Sequence, residues 1–369
     1  MRVLAVNAGS SSLKLSLLDE RDRLLLSSSL PSSRGQLDEA ALRAELEPAG
    51  PIDAVGHRIV HGGSEFVEPV LIDERVLRRL EALVDLAPLH QPKSLHALEL
   101  VSRILPDVPA VGCFDTAFHA HIPAAAATYA LPAEWRERWD LRRFGFHGLS
   151  HAYASRRAAD LIGERLDGLR IVTCHLGAGA SLAAVEGGVS VETTMGFTPL
   201  EGLVMATRSG SVDPGLILWL EEHVGMPPSE LAATLEYRSG LLGLAGSADM
   251  QVILAAEKGG DADASLAVSV YLHRLRAGIA AMAAAMDGLD VLVFTAGVGE
   301  NAPAIRARAA TGLRFLGVAL DSAQNDSAEL DAEIGAAGAG VRVFAVRARE
   351  DLQIAHDVRD VLTDHDRSS

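Results

Sequence analysis

The sequence predicts a duplicated, two-lobed α/β protein that binds a nucleotide. Three observations carry that expectation. A strand–turn–strand unit opens the chain: Val3-Leu4-Ala5-Val6, then Asn7-Ala8-Gly9-Ser10-Ser11-Ser12, then the alternating Leu13-Lys14-Leu15-Ser16-Leu17. It returns near mid-chain as Ile171-Val172-Thr173-Cys174-His175, Leu176-Gly177-Ala178-Gly179-Ala180-Ser181 and Leu182-Ala183-Ala184-Val185. Turns of this kind offer several free backbone N–H groups at one point, which suits phosphate oxygens. A third glycine-rich turn, Ala296-Gly297-Val298-Gly299-Glu300-Asn301, follows the apolar strand Val291–Thr295 and precedes a helix start, the arrangement of a phosphate cradle. Finally, 369 residues are long for a single core, so two domains are expected.

Composition narrows the class. Hydrophobic residues make up 49% and charged residues 22%, as in ordinary globular proteins. A net charge of −16 and a pI near 5.2 argue against a dedicated nucleic-acid binder or a partner of anionic membranes. They leave open a small anionic substrate, since a local arginine cluster overrides the global field. Cys113 and Cys174 sit in apolar runs without Cys-x-x-Cys spacing and read as reduced core residues. The N-terminus enters a strand directly, with no signal peptide, and a cytoplasmic location is expected.

Along the first lobe, residues 1–117, the hairpin leads to a polar stretch and then a strand at Ala54–His61. Val76, Leu77, Leu80, Leu83 and Val84 mark one face of a helix over Asp73–Leu86, which Pro88 and Pro92 end. A helix over Ser94–Leu105 and a strand over Ala110–Phe114 follow. The second lobe, 118–349, holds a helix over about Ser150–Leu161, the echoed hairpin, a turn-rich segment from Thr193 to Gly215, helices over about Pro214–Val224 and Ala262–Met286, and the 291–295 strand with its turn. The tail helix, within 350–369, is expected to pack back on the first lobe.

Several side chains in these segments point to phosphate chemistry. Arg58 lies inside an apolar strand and needs an anionic partner, because an unpaired buried charge is costly. Arg208 lies in the turn Ala206-Thr207-Arg208-Ser209-Gly210; a guanidinium fork matches carboxylate or phosphate oxygens. His147 in Phe146-His147-Gly148, and His175 at a strand end, read as hydrogen-bond donors or as structural histidines. His90 is pinned between prolines, which favours a site wall. Asp115 ends a buried strand, where a carboxylate positions a nucleophile or a metal-bound water, or caps a helix. Glu350 is either a metal-side acid or a favourable charge at a helix start. No His-Glu-x-x-His and no Gly-x-x-x-x-Gly-Lys-Ser/Thr is present, which excludes the zinc-protease helix and the P-loop.

Taken together, these segments resemble the acetokinase family over nearly the whole chain. The resemblance is carried by Val6-Asn7-Ala8-Gly9-Ser10-Ser11-Ser12-Leu13-Lys14, Gly56-His57-Arg58-Ile59-Val60-His61-Gly62-Gly63, Leu86-Ala87-Pro88-Leu89-His90, Phe114–His119 and Gly145-Phe146-His147-Gly148. It continues through Thr173–Gly177, Glu192–Gly202, Thr207–Pro214 and Phe294–Asn301. The resemblance implies ribonuclease-H-like, actin-like lobes with a central cleft, a homodimer, and Mg²⁺-dependent, reversible phosphoryl transfer from ATP to acetate. By position, Arg58 and Arg208 would hold acetate and the migrating phosphoryl group, His147 would donate to its equatorial oxygens, and Asp115 would be an acid/base-type residue or orient Arg58. Asn7 and Glu350 would fix Mg²⁺. Ser10, Ser12 and Lys14 would lie along the phosphates. His175, Leu176, Gly177, Ala178 and Gly179, together with Gly297, Val298, Gly299, Glu300 and Asn301, would line the ATP site, with Asp249, Met250 and Gln251 near adenine. Val60, Leu89, His90, Phe146 and Pro199 would wall the acyl pocket, where valine at position 60 favours acetate over propionate.

Five positions depart from the family pattern. Ala178 stands where the family has asparagine, Leu149 where it has threonine, Met250-Gln251 where it has Phe-Arg, and Arg349 where it has asparagine. Ala178 removes a side-chain donor to phosphate, and Arg349 could supply part of the missing charge. Two other readings fit the same motifs: a kinase of propionate or butyrate, and a nucleotide-binding relative without catalysis. Retention of Arg58, Asp115, His147 and Arg208 favours an active kinase.

Overall fold

Every position of Val3-Leu4-Ala5-Val6 is buried, so the first strand reads as a continuous apolar run and becomes a central strand. Its two faces feed separate cores. Leu4 and Val6 pack with Leu13, Leu15, Leu17, Val55, Ala97 and Val101; Val3 and Ala5 pack with Leu18, Ala54, Cys113, Ile354 and Val358. The structure, a computed structural model, describes residues 1–9, 12–31, 38–86, 91–327 and 330–368. Ser10, Leu89 and His90 lie outside the described residues.

The chain divides into two units, one of Met1–Ala120, Phe146–Tyr153 and Arg349–Ser369, the other of His121–Gly145 and Ala154–Ala348. The first holds β1 (Val3–Ala8), β2 (Ser12–Leu18), β3 (Leu24–Pro31), β4 (Ala54–Ile59), β5 (Val70–Leu71) and β6 (Ala110–Phe114) in the order β3-β2-β1-β4-β6-β5. The second holds β7 (Arg170–Leu176), β8 (Ala180–Glu186), β9 (Val189–Thr193), β10 (Val291–Thr295), β11 (Ala332–Glu333) and β12 (Arg342–Ala345) in the order β9-β8-β7-β10-β12-β11. Each sheet begins with an antiparallel meander of three strands. Two parallel neighbours follow in each, and each ends on a two-residue antiparallel strand. The duplication expected from two hairpins therefore extends to whole sheets.

Matched registers make the two repeats comparable residue by residue. Asn7 faces Lys14 as His175 faces Ser181. Val6 faces His57 as Cys174 faces Phe294, and His57 faces Gly112 as Phe294 faces Ala345. Counting onward, Arg58 occupies in the first sheet the place of Thr295 in the second, and Asp115 that of Ala348.

The C-terminal helix Glu350–Ser368 belongs to the first unit. It lies close against β4: a Cβ on Gly56 would meet Ile354 Cγ2 at 2.3 Å and Val358 Cγ2 at 2.7 Å, so only glycine fits there. Among the described residues no single helix is long and apolar enough to cross a membrane.

Three expectations change. The strand expected to reach His61 leaves the ladder after Ile59. The chain turns at Gly62, whose carbonyl accepts the Phe66 N–H. Pro92 does not stop a helix but stands in the first turn of Gln91–Ile104, where its missing N–H is no loss. The turn expected at 296–301 is a short helix, Ala296–Asn301, entered by a single left-handed residue, Ala296, at φ +64°. One strained residue there makes the whole strand-to-helix reversal.

Candidate functional site

In the first unit, the carboxyl ends of β1, β4 and β6 and the start of the C-terminal helix gather charge. Arg58 donates from Nε to Asp115 Oδ1 at 2.9 Å and from Nη2 to Oδ2 at 2.5 Å. Its Nη1 reaches Asn7 Oδ1 at 2.9 Å, and Asn7 Nδ2 donates to Glu350 Oε2 at 2.7 Å. The same Glu350 oxygen lies 3.9 Å from Arg58 Nε. Asp115 is fully buried, while Arg58 and Glu350 keep 15% and 16% of their side chains exposed, enough to meet a ligand. Burial works against the Arg58 charge, yet the carboxylates of Asp115 and Glu350 outweigh it and hold the guanidinium above its ordinary value. Burial likewise pushes the Asp115 carboxyl up, and Arg58 and the His147 N–H pull it back. One guanidinium against two carboxylates leaves a surplus negative charge among oxygen donors, a set suited to a hard divalent cation that completes its shell with phosphate oxygens and water.

His147 reaches this cluster through unusual backbone. It sits at φ +57°, uncommon for a non-glycine residue. That conformation delivers its N–H to the Asp115 carboxylate and the following Gly148 N–H to the Asp115 carbonyl at 2.9 Å. A Cβ on Gly148 would lie 2.3 Å from that carbonyl oxygen, so Phe146-His147-Gly148 is shaped to its seat on Asp115. His119, fully buried, bonds the Phe146 carbonyl through Nε2 at 3.1 Å. Phe146 is buried and meets the His61 ring edge-on, centroids 5.4 Å apart. Val60 is buried, Ser12 half-buried and Lys14 exposed. Ser12 closes the first hairpin by accepting the Gly9 N–H at 2.8 Å. Leu149 packs into the core beneath the C-terminal helix, so that departure is a packing residue.

In the second unit, the turn after β7 is closed by Gly177 N–H to Gly179 O at 2.9 Å. Ala178 is exposed, and its carbonyl accepts the Ala206 N–H at 3.0 Å, which ties the turn to the loop carrying Arg208. A Cβ on Gly177 would stand 3.5 Å from His175 Nε2 and 3.7 Å from Ala296 Cβ, so the turn lies beside the entry to the Ala296–Asn301 helix. Arg208 meets Glu236 Oε1 from Nε at 3.0 Å and donates from Nη1 to the Pro199 carbonyl at 2.9 Å. The structure thus brings together Arg208 and Pro199, and brings His175–Gly179 close to Ala296, the residue before Gly297–Asn301. Asp249 caps the helix Met250–Lys258 by accepting the Gln251 N–H at 2.8 Å. Arg349, in the first unit, is held bidentately by Asp351 at 2.9 and 3.0 Å, so its charge is matched locally.

Two supports escape sequence reasoning. Glu236, on the helix Pro228–Tyr237, orients Arg208. Arg306 is 1% exposed and has no carboxylate partner among the described ion pairs. It donates from Nη1 to Gly299 O and Glu300 O, both at 2.8 Å, and to Asn325 Oδ1 and O at 2.9 and 2.7 Å. It thus fastens the glycine-rich helix from below, while Glu300 Oε1 accepts the Ala348 N–H at 2.8 Å. An arginine in an alanine-rich helix carries no periodic signal of burial. The His-x-x-x-His spacings at His57/His61 and His147/His151 build no metal cluster: among the described residues no group of three or more His, Cys, Asp or Glu side chains is placed to hold a metal ion.

A profile described as the acetokinase family matches residues 32–356. The acetate kinase of Shouchella clausii is 42% identical over 387 aligned positions, covering 96% of this chain and 98% of its own length. The chain belongs to the acetokinase family. Its fold agrees with that of the acetate kinase of Porphyromonas gingivalis at a TM-score of 0.90, with 36% identity over 98% of this chain and 99% of that one. It agrees equally with a propionate kinase from Francisella tularensis, again at a TM-score of 0.90, with 33% identity over 98% and 99%. The arrangement of Arg58, Asp115, Asn7 and Glu350 thus stands in a family whose named members phosphorylate short carboxylic acids.

Proposed function

We propose that this protein is an acetate kinase, transferring the γ-phosphoryl group of ATP reversibly to acetate to give acetyl phosphate and ADP. The observation that carries the reading is the Arg58 cluster: a permanently charged guanidinium aligned by buried Asp115 beside the partly exposed Glu350. A carboxylate substrate is already a nucleophile at neutral pH and needs no strong base. The protein must instead neutralise and align two anions.

In this reading Arg58 and Arg208 hold acetate and the transferring phosphoryl group, and His147 donates to its equatorial oxygens. Asp115, bound on both oxygens by Arg58, acts as the orienting residue rather than as a proton acceptor. Asn7 and Glu350 hold Mg²⁺, which supplies charge neutralisation at the phosphate oxygens. Ser10, Ser12 and Lys14 follow the phosphates. His175–Gly179 and Gly297–Asn301 line the nucleotide, with Asp249–Gln251 toward adenine. Val60, Leu89, His90, Phe146 and Pro199 form the acyl wall. The protein works as a cytoplasmic homodimer.

Trapping of acyl phosphate as the hydroxamate, with ATP, Mg²⁺ and acetate, propionate or butyrate, tests the reading. Acetyl hydroxamate as the main product is expected. Preference for a longer acid moves the assignment to the corresponding kinase, and no product with any acid defeats it.

A further inference from the structure

Val60 sits where β4 has just ended, and its two chain neighbours are fastened by different means. The Ile59 carbonyl accepts the Asp115 N–H at 3.0 Å, so the residue before Val60 is still held by the sheet. The residue after it, His61, is fully buried, and its backbone groups need partners there. Both come from Gln91, itself 0% exposed at the head of the helix Gln91–Ile104. The His61 N–H donates to Gln91 Oε1 at 3.3 Å, and Gln91 Nε2 donates to the His61 carbonyl at 3.1 Å. A carboxamide carries the same donor and acceptor as a peptide, so this side chain pairs with His61 as a neighbouring strand would. The next residue is anchored too: the Gly62 N–H donates to Thr116 Oγ1 at 3.0 Å.

We propose that Gln91 is a positioning residue that fixes the acyl-pocket wall by clasping the His61 peptide, and so sets the discrimination among short-chain carboxylates made at Val60. The inference rests on the acetate kinase reading. Val60 is held between a sheet-bonded Ile59 and a Gln91-bonded His61, and its side chain has no backbone slack with which to retreat from a larger acyl group. Methionine at position 91 keeps the length and apolar stem of glutamine but leaves two buried backbone groups unpaired. The least costly relaxation is a shift of His61 that carries Val60 with it.

The test compares kcat/KM for acetate and propionate in wild type, Gln91→Met, Gln91→Glu, Val60→Ala and the double variant Val60→Ala/Gln91→Met. Gln91→Met is expected to raise the propionate-to-acetate ratio by about three- to tenfold, no more than the lower end of what one methylene commands. KM for acetate should rise more than kcat falls, and KM for ATP should move less than about twofold. Gln91→Glu keeps the acceptor for the His61 N–H and should fall between the two. Because Gln91 acts through Val60, its substitution should add little once Val60 is alanine. A folded Gln91→Met with the wild-type ratio overturns the proposal, as does full additivity with Val60→Ala. If Gln91→Met does not fold, a wild-type ratio in Gln91→Glu overturns it instead. A wild-type protein that makes no acyl phosphate defeats the kinase reading, a result distinct from a working enzyme whose ratio does not respond to Gln91.

Discussion

Asp115 meets Arg58 side-on, each carboxylate oxygen taking one guanidinium N–H, at 2.9 and 2.5 Å. Both oxygens of the buried acid are thereby committed to aiming the arginine. Asp115→Asn keeps the shape but turns one acceptor into a donor facing Arg58. Turnover should fall by about 100-fold, the scale for losing one aligned electrostatic group, while the fold is kept. Asp115→Ala strands the cation and should also cost about 3–5 kcal/mol of stability. Steady-state kinetics and thermal melting of both variants check this; a turnover loss below about fivefold in Asp115→Asn would remove the orienting role.

Arg208 is fastened by Glu236 and the Pro199 carbonyl, so its guanidinium is oriented before any ligand arrives. Arg208→Ala should lower kcat by about 100- to 1,000-fold and leave the affinity for a non-hydrolysable ATP analogue within about threefold. Calorimetric titration against kinetics separates the two. Equal loss in both would reduce Arg208 to a ground-state contact.

Arg306 supplies four hydrogen bonds from a fully buried position. Arg306→Met fits the volume but leaves the Gly299, Glu300 and Asn325 carbonyls unmatched. Unsatisfied buried groups cost about 1–3 kcal/mol each, so for these four acceptors a loss of at least about 4 kcal/mol is expected in denaturant unfolding. KM for ATP should rise while KM for acetate stays near its wild-type value. A variant as stable as the parent would contradict the fastening role.

His57 and His119 are buried, and burial holds their pKa values down at about 3 and about 4, against an ordinary 6.5. The Phe146 carbonyl raises His119 only in part. In the unfolded chain both protonate as pH falls through 6.5; in the folded chain they do not until about 4 and about 3. The unfolded state therefore binds more protons, and stability falls with falling pH across that window. Each histidine contributes up to about 1.4 kcal/mol per pH unit. The melting temperature should drop between pH 7 and pH 5, before ordinary carboxylates titrate. His57→Gln should flatten the slope, and a melting temperature constant over that range would count against neutral burial.

Much of this was legible because period and motif are local. β1, β6 and β10 are apolar runs ended by glycine or polar turns, β2 alternates apolar and polar residues, and the C-terminal helix carries its own apolar face. β5 and β11 were not legible: at two residues each they are shorter than any repeat of the alternation that marks a strand. The helical character of Ala296–Asn301 was hidden for a different reason. Two glycines in six residues signal a turn, and the helix persists because Arg306, from the next helix, binds its last carbonyls.

The same division holds at the site. Arg58, Asp115, His147, Arg208 and Glu350 stand out in the sequence because charged or imidazole side chains sit in or at the end of apolar strands, in glycine-containing turns and at a helix start; Asn7 is singled out only by the family resemblance. The sequence by itself therefore determined the family, the duplicated α/β fold and the residue types available for phosphoryl transfer. Only the tertiary structure decided which of them share a hydrogen bond. It showed that Asp115 serves Arg58, that Glu236 and Pro199 hold Arg208, and that Arg349 is occupied by Asp351. It also showed that Gln91 finishes the sheet beside Val60. The reason is physical: a buried polar group must find its partner in space, and partners such as Arg58 and Asp115, or Gln91 and His61, come from elements far apart in the chain, beyond the reach of any local pattern.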